Sequence, residues 1–428
     1  MSPHSPTAPS GADLSHKGPD NTASLRLFVI ALFFIFGGIT SLNDVIIPKL
    51  KDLFTLTHAQ SMLVQSAFFA AYFIVSIPAA AIVRRFGYMR TAVVGLLTMT
   101  AGCLLFIPAA SSGVFAFFLL ALFVLASGVT IVQVVANPLI SMLGAPATAH
   151  SRLTFAQAFN SLGTTVFPYI GAIVILGSLA GVDHSQLTGA ALSTYRAAES
   201  QVVVSTYLGL AVALVIVALM VWINRTKLVE TPAPATSMLA AFSLLKRPRF
   251  AFGTLCIFMY VGGEVAIGSL IVNYLMQADV LGMGAEDAGK HVALYWGGAM
   301  VGRFIGAYLL KIFSPGKVLA TAAAIVILLL LVSGNSTGVI SGWSLLAIGL
   351  FNSIMFPTIF SLASEGLGDR AAEGSGVICM AIVGGAIVPY ITGVTADAAG
   401  LKMSLIVPAL CYALILAFGW YARRPAVK

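Results

Sequence analysis

Three ionisable residues stand deep inside long apolar runs: Asp44, Glu264 and Arg303. A charge taken out of water is costly, so such residues mark ion paths, proton sites or substrate contacts. Thr40, Asn43 and Asp44 are spaced i, i+3 and i+4, which puts hydroxyl, amide and carboxylate on one helix face. That set can hold sugar hydroxyls, and a partly desolvated carboxylate can take up a proton. Glu264 lies about 15 residues past Arg249, roughly 22 Å along a helix, beyond a bilayer's centre. Arg303 lies about 13 residues in from Lys290 on the opposite side, so the two differ in depth by roughly 10 Å, with Arg303 in the cytoplasmic half. No ion pair is expected between them, and Arg303 reads as organising its own helix.

Amides form a second group. Gln157, Asn160 and Thr164 (i, i+3, i+7) make a polar stripe in one apolar run, and Gln133 and Asn137 (i, i+4) in another. Amides donate and accept, which suits a neutral polyol. Asn137 precedes Pro138 and reads as repair of a kinked backbone. Asn352 sits five residues before Pro357, as Gln133 does before Pro138. Trp296 is the aromatic chosen for stacking on a sugar ring, ahead of Tyr295, Phe69 and Tyr72.

The elements that carry these residues follow from composition. Of 428 residues, 59% are apolar and 9% charged, with a mean hydropathy of +0.98. Soluble domains average about 45–50% and about 25%. A soluble enzyme, a disordered chain, a coiled coil and a singly anchored domain are excluded. The apolar runs are continuous rather than alternating, which excludes an outer-membrane barrel. The chain reads as an all-α membrane protein. Twelve runs can span: 27–49, 60–83, 89–110, 114–142, 153–179 and 200–224, then 250–276, 289–312, 317–334, 338–363, 374–396 and 402–422. Expected domains are a disordered cytoplasmic tail (1–24), a six-helix bundle (25–224), a cytoplasmic linker (225–249) and a second bundle (250–428).

Placing both termini in the cytoplasm puts 17 Lys and Arg in inside segments and 5 outside, with Arg303 within a span. The formal charge of +8 is therefore a topology signal, not a nucleic-acid surface. The halves repeat: Pro168-Tyr169-Ile170 recurs as Pro389-Tyr390-Ile391, Pro138 as Pro357, and Gly37-Gly38 as Gly262-Gly263. Two parallel six-helix repeats are the layout of a transporter with its site at the midplane between pseudo-symmetric bundles. Nothing indicates an enzyme. There is no Walker A sequence and no Gly-x-Ser-x-Gly elbow, and the six histidines show no metal-ligand spacing. The four cysteines lie in apolar runs and read as small buried hydrophobes.

Several segments together resemble one family. They are Asn43-Asp44, Leu63–Phe69, Ala136-Asn137-Pro138, Arg152–Gly163 and Tyr260–Gly268. The chain resembles the fucose–galactose–glucose symporters of the major facilitator superfamily, over about Leu27–Tyr421. The resemblance implies an inner-membrane carrier coupling a monosaccharide to a cation by alternating access. The fucose branch pairs a first-helix aspartate with a fourth-helix glutamate. Asp44 matches the first and Gln133 replaces the second, while Glu264 is shared with the glucose/galactose branch. Arg84 stands where the superfamily's loop motif carries an acid, so its usual latch does not carry over.

The expected function is import of glucose or galactose with H+ or Na+, by a monomer in membrane lipid with no other cofactor or metal. A downhill facilitator, and a symporter of fucose or another hexose, are the alternatives. Asp44 and Glu264 are the expected coupling residues. Asn43, Gln133, Gln157, Asn160, Trp296 and Asn352 are the expected sugar contacts.

Overall fold

A computed structural model describes residues 25–41, 58–171, 189–226 and 238–424. The tail and the segment carrying Asn43 and Asp44 lie outside the described residues. Twelve helices follow in order: α1 Leu25–Ser41, α2 His58–Phe86, α3 Tyr88–Ser112, α4 Phe115–Met142, α5 Ala149–Gly171 and α6 Gly189–Ile223. A short 3-10 stretch, Met238–Lys246, precedes α7 Pro248–Met276 and α8 Ala285–Ile312. Then come α9 Pro315–Asn335, α10 Gly338–Ser364, α11 Gly368–Ala399 and α12 Leu401–Tyr421. The described residues contain no strand.

Nine stretches among the described residues are long and apolar enough to cross a bilayer. α5 and α8 are not among these nine: α5 carries a polar stripe and α8 carries Arg303 within its apolar run, and they pack on each other. Lipid tails offer no partner to an amide or guanidinium, so polar helices gain by meeting at a protein interface. The outward faces are greasy: Val212, Ile216, Leu219, Leu328, Leu331 and Leu410 are exposed. In water such a face would aggregate; in a bilayer it is the solvated surface.

The helices form two six-helix bundles. In the first, α3 lies against α4 and α6, and α2 against α4; in the second, α7 lies against α11 and α12, and α9 against α12. Small residues permit the tightest crossings. A Cβ on Gly163 of α5 would collide with the Phe34 carbonyl of α1, and one on Gly384 of α11 with the Phe258 carbonyl of α7. These glycines lie 221 residues apart, the offset of the repeated Pro-Tyr-Ile.

Two spans are not single helices. α10 breaks between Asn352 and Met355, and α11 tightens to a 3-10 turn at Ala381–Val383. The first break has a sequence cause. Pro357 lacks the N–H that would bond the Ser353 carbonyl, and its ring crowds that carbonyl. Contacts between bundles gather at the ends nearest the linker: α5 packs on α8 and the second piece of α10, and Ala371–Met380 of α11 packs on α2 and α4.

Candidate functional site

The second bundle holds a polar centre built on α7. Glu264 and Tyr260 stand one turn apart, and the Tyr260 hydroxyl lies 2.7 Å from Glu264 Oε1 and 3.0 Å from the Asn352 carbonyl. Tyr295 of α8 donates to the Glu264 carbonyl at 3.3 Å and accepts from Asn352 Nδ2 at 2.8 Å. Asn352, Tyr260, Tyr295 and Tyr412 are fully buried or nearly so, whereas Glu264 is half-buried. Trp296 lies over Gly268, one turn from Glu264, and meets Tyr295 edge-on with centroids 5.0 Å apart.

The break in α10 joins this centre to the other bundle. Arg303 Nε donates to the freed Ser353 carbonyl at 3.1 Å. Its Nη1 reaches across to α5, donating to the Gln157 carbonyl at 3.1 Å and to Ser161 Oγ. Arg303 thus straps two bundles together; the expectation that it serves only its own helix is corrected. The other repeated proline behaves alike. Pro138 removes the N–H owed to the Val134 carbonyl. Ser375 of α11, in the opposite bundle, donates to that oxygen at 2.9 Å. Two orphaned carbonyls, one per repeat, are each capped by a side chain that bridges the bundles.

In the first bundle the amides lie together. The Tyr72 hydroxyl donates to Gln133 Oε1 at 2.7 Å, and Gln157 Nε2 approaches Asn137 Oδ1 at 3.4 Å. Asn160 Nδ2 bonds the Phe33 carbonyl of α1 at 3.2 Å. Some buried capacity is unspent: Asn137 Nδ2, Thr154 Oγ1, Asn352 Oδ1 and the Tyr412 hydroxyl have no hydrogen-bond partner among the described residues. Asn137 does not mend the Pro138 kink through its side chain, contrary to expectation; Ser375 caps the freed carbonyl.

Nearer the linker, charges close the interface. Arg84 of α2 pairs with Glu373 of α11, which Arg370 also holds at 2.6 Å. His150 of α5 meets Ser361 Oγ at 2.5 Å and Glu365 Oε1 at 3.1 Å, and Arg249 grips the other Glu365 oxygen. Ser151 donates to the Ala307 carbonyl at 2.7 Å. At this end a base on α2 therefore faces an acid on α11 across the two bundles.

Residues 28–382 match the Major Facilitator Superfamily. The chain belongs to that superfamily. It is 51% identical over 388 residues to a glucose/galactose transporter of Brucella abortus, covering 91% of each. It is 33% identical over 407 residues to the L-fucose-proton symporter of Escherichia coli K12, covering 93% of each. The crystal structure of the superfamily transporter FucP in the outward conformation superposes with a TM-score of 0.85 at 31% identity, covering 94% of this chain and 99% of that one. These relatives put the chain among the fucose–galactose–glucose symporters, as its motifs suggested, and make it a transporter rather than an enzyme.

Within this superfamily fold, the predicted residues divide. Glu264, Trp296 and Asn352 gather around the α7–α10 centre, and Gln133, Gln157 and Asn160 around α4–α5. Asn352 is fully buried in this conformation, with its nitrogen donated to Tyr295. Gln133 and Gln157 are buried to a similar degree and are not open to a substrate in this state. Tyr260, Tyr412, His150, Glu373 and Ser375 were missed. For Ser375 a signal existed, because a proline inside a span demands a donor for the carbonyl four residues before it.

Proposed function

We propose that this transporter imports a neutral hexose, glucose or galactose, together with a proton. One observation carries the reading: α2 and α4 of one bundle and α7, α8 and α10 of the other bear amides and tyrosine hydroxyls, and among the described residues the half-buried carboxylate of Glu264 has no ion pair within 4 Å. Neutral donors and acceptors suit sugar hydroxyls, and the nearby cation, Arg303, is spent on two carbonyls and a hydroxyl rather than offered to an anion. The proton follows from the named fucose relative, the hexose from the glucose/galactose relatives. Asp44 and Glu264 are the proposed proton carriers. Asn43, Gln133, Gln157, Asn160 and Trp296 are the proposed sugar contacts, engaged as the bundles move. The positive-inside count supports an inner-membrane carrier with the linker and both termini on the cytoplasmic side. Closure on the linker side is then the outward-facing state. The bundles are taken as 25–224 and 250–428, working as a monomer.

The test is radiolabelled glucose uptake into proteoliposomes, with H+ and Na+ gradients imposed separately. Accumulation with the H+ gradient alone is expected, and unlabelled galactose should compete. Equilibration without accumulation would make the protein a facilitator. Accumulation driven by Na+ would replace the ion, and uptake of fucose but not glucose would replace the sugar.

A further inference from the structure

The Tyr260 hydroxyl has one hydrogen and faces two acceptors, Glu264 Oε1 at 2.7 Å and the Asn352 carbonyl at 3.0 Å. If Glu264 is ionised, the hydrogen goes to the carboxylate, because charge-assisted bonds are the stronger. The Asn352 carbonyl then faces a bare hydroxyl oxygen at hydrogen-bond distance inside a buried site, an arrangement that repels. If Glu264 is protonated, its O–H donates to Tyr260 Oη and Tyr260 donates to Asn352. Both short contacts are then bonds. We infer that Glu264 holds its proton in the conformation closed on the linker side, and that Tyr260 relays loss of the proton to the break in α10. This deepens the proton-coupled reading and rests on it.

The relay ends on the strap. Asn352 and Ser353 present consecutive carbonyls at the break that Pro357 imposes; Tyr260 caps the first and Arg303 the second. When Glu264 ionises, Tyr260 turns its hydrogen away from the first carbonyl. The break loses one of its two caps, and the segment that seats Arg303 against Gln157 and Ser161 loosens. Among the described residues, the titratable and charged groups around Glu264 are Tyr260 on α7, Tyr295 and Arg303 on α8 and Tyr412 on α12, and α10 faces it with the amide Asn352. Arg303 is the only full charge in this set, and it is spent on two carbonyls and a hydroxyl.

Two readouts on the full-length protein in lipid test the relay. Infrared difference spectra between acidic and alkaline pH should show the carbonyl stretch of a protonated carboxylic acid, and Glu264→Gln should remove it. Spin-label distances between the linker-side ends of α3 and α9 should lengthen as the band disappears. The closed-to-open ratio should change about tenfold, a usual size for linkage between two sites. Glu264→Gln, whose amide can also donate to Tyr260, should stay closed at every pH. Tyr260→Phe should keep the band titrating while the distances stop following it. A band change left intact in Glu264→Gln, or an undiminished pH-driven opening in Tyr260→Phe, overturns the inference. Sugar uptake on the same preparation separates the two claims: a titrating Glu264 without glucose or galactose uptake sinks the substrate reading alone.

Discussion

Glu373→Gln should open the linker side. The side chains of Arg84 and Glu373 are 10% and 6% exposed, and Glu373 also holds the more exposed Arg370, at 34%. Removing the acid leaves the Arg84 guanidinium facing a neutral amide at a site where little water reaches it. Breaking one side of a buried pair costs about 3–5 kcal/mol. The lower end applies here, because the amide oxygen can still accept a hydrogen bond. The cost falls on the closed conformation alone, since opening parts α2 from α11 and hydrates the arginine. About 3 kcal/mol is about 150-fold in the closed-to-open ratio. Arg370→Gln removes an exposed partner worth about 0–1 kcal/mol, so its shift should stay within about fivefold. Spin labels at Arg90 and Lys317, both exposed near the linker-side starts of α3 and α9, read the ratio as a distance distribution. The double variant Arg84→Met/Glu373→Gln should open less than Glu373→Gln, because the buried guanidinium is removed together with the acid that faces it. If Glu373→Gln keeps the wild-type distribution, or the double variant opens further, the pair is not the latch.

Three further outcomes are expected. Ser375→Ala should loosen the same interface by about 1 kcal/mol, and Pro138→Ala should cancel that loss by giving the Val134 carbonyl an N–H again; distance measurements on the pair of variants check it. Gly163→Ala and Gly384→Ala should each destabilise the fold by about 1–3 kcal/mol through overpacking, read as lower melting temperatures in detergent, with Gly393→Ala near wild type because nothing stands within 4 Å of its added Cβ. Asp279, outside the spans, takes a 2.6 Å contact from Lys402, and that hydrogen bond holds its carboxyl below the usual carboxylate range. A depressed folded value means the contact is complete above the unfolded value of about 3.9 and is lost as pH falls through the lower, folded one. Proximity labelling between the α7–α8 loop and the first turn of α12 should therefore persist down to about pH 4 in the wild type, and Lys402→Met should abolish the pH dependence.

Span number, bundle division and the polar character of α4, α5, α7 and α8 were legible because they rest on composition and on one-dimensional spacing. So was the pairing of Pro138 with Pro357, though not its consequence. A proline announces an orphaned carbonyl in its own helix, but the donor comes from elsewhere in space: Ser375 lies 241 residues from Val134, and Arg303 lies 50 from Ser353. Arg303 was misplaced for a related reason. Depth along a helix axis can be counted from the sequence, and the count did forecast that Glu264 and Arg303 form no ion pair. Azimuth toward another bundle cannot be counted that way. Burial was not legible either: an amide five residues before a proline, such as Asn352, reads the same whether it lines a cavity or sits one layer behind it. The Arg84–Glu373 pair was hidden because the loop motif was judged by one partner. Arg84 breaks the usual pattern only until Glu373 is seen opposite it.

The repeat supplies the same defect twice, and the two bundles resolve it differently. At Val134 a neutral serine hydroxyl from the other bundle caps the carbonyl, a bond that either makes or breaks as the interface closes or opens. At Ser353 the cap is a cation from the same bundle, which keeps hold of its carbonyl by one nitrogen and grips α5 with another. The first can only report closure. The second is tied to a break whose neighbouring carbonyl depends on Tyr260, and so on a group that gains and loses a proton. In a pseudo-symmetric carrier the driving ion needs an asymmetric foothold, because an event felt equally by both halves gives no preference for closing one side. Glu264 and Arg303 provide it in the second bundle, and the serine clasp lets the first follow.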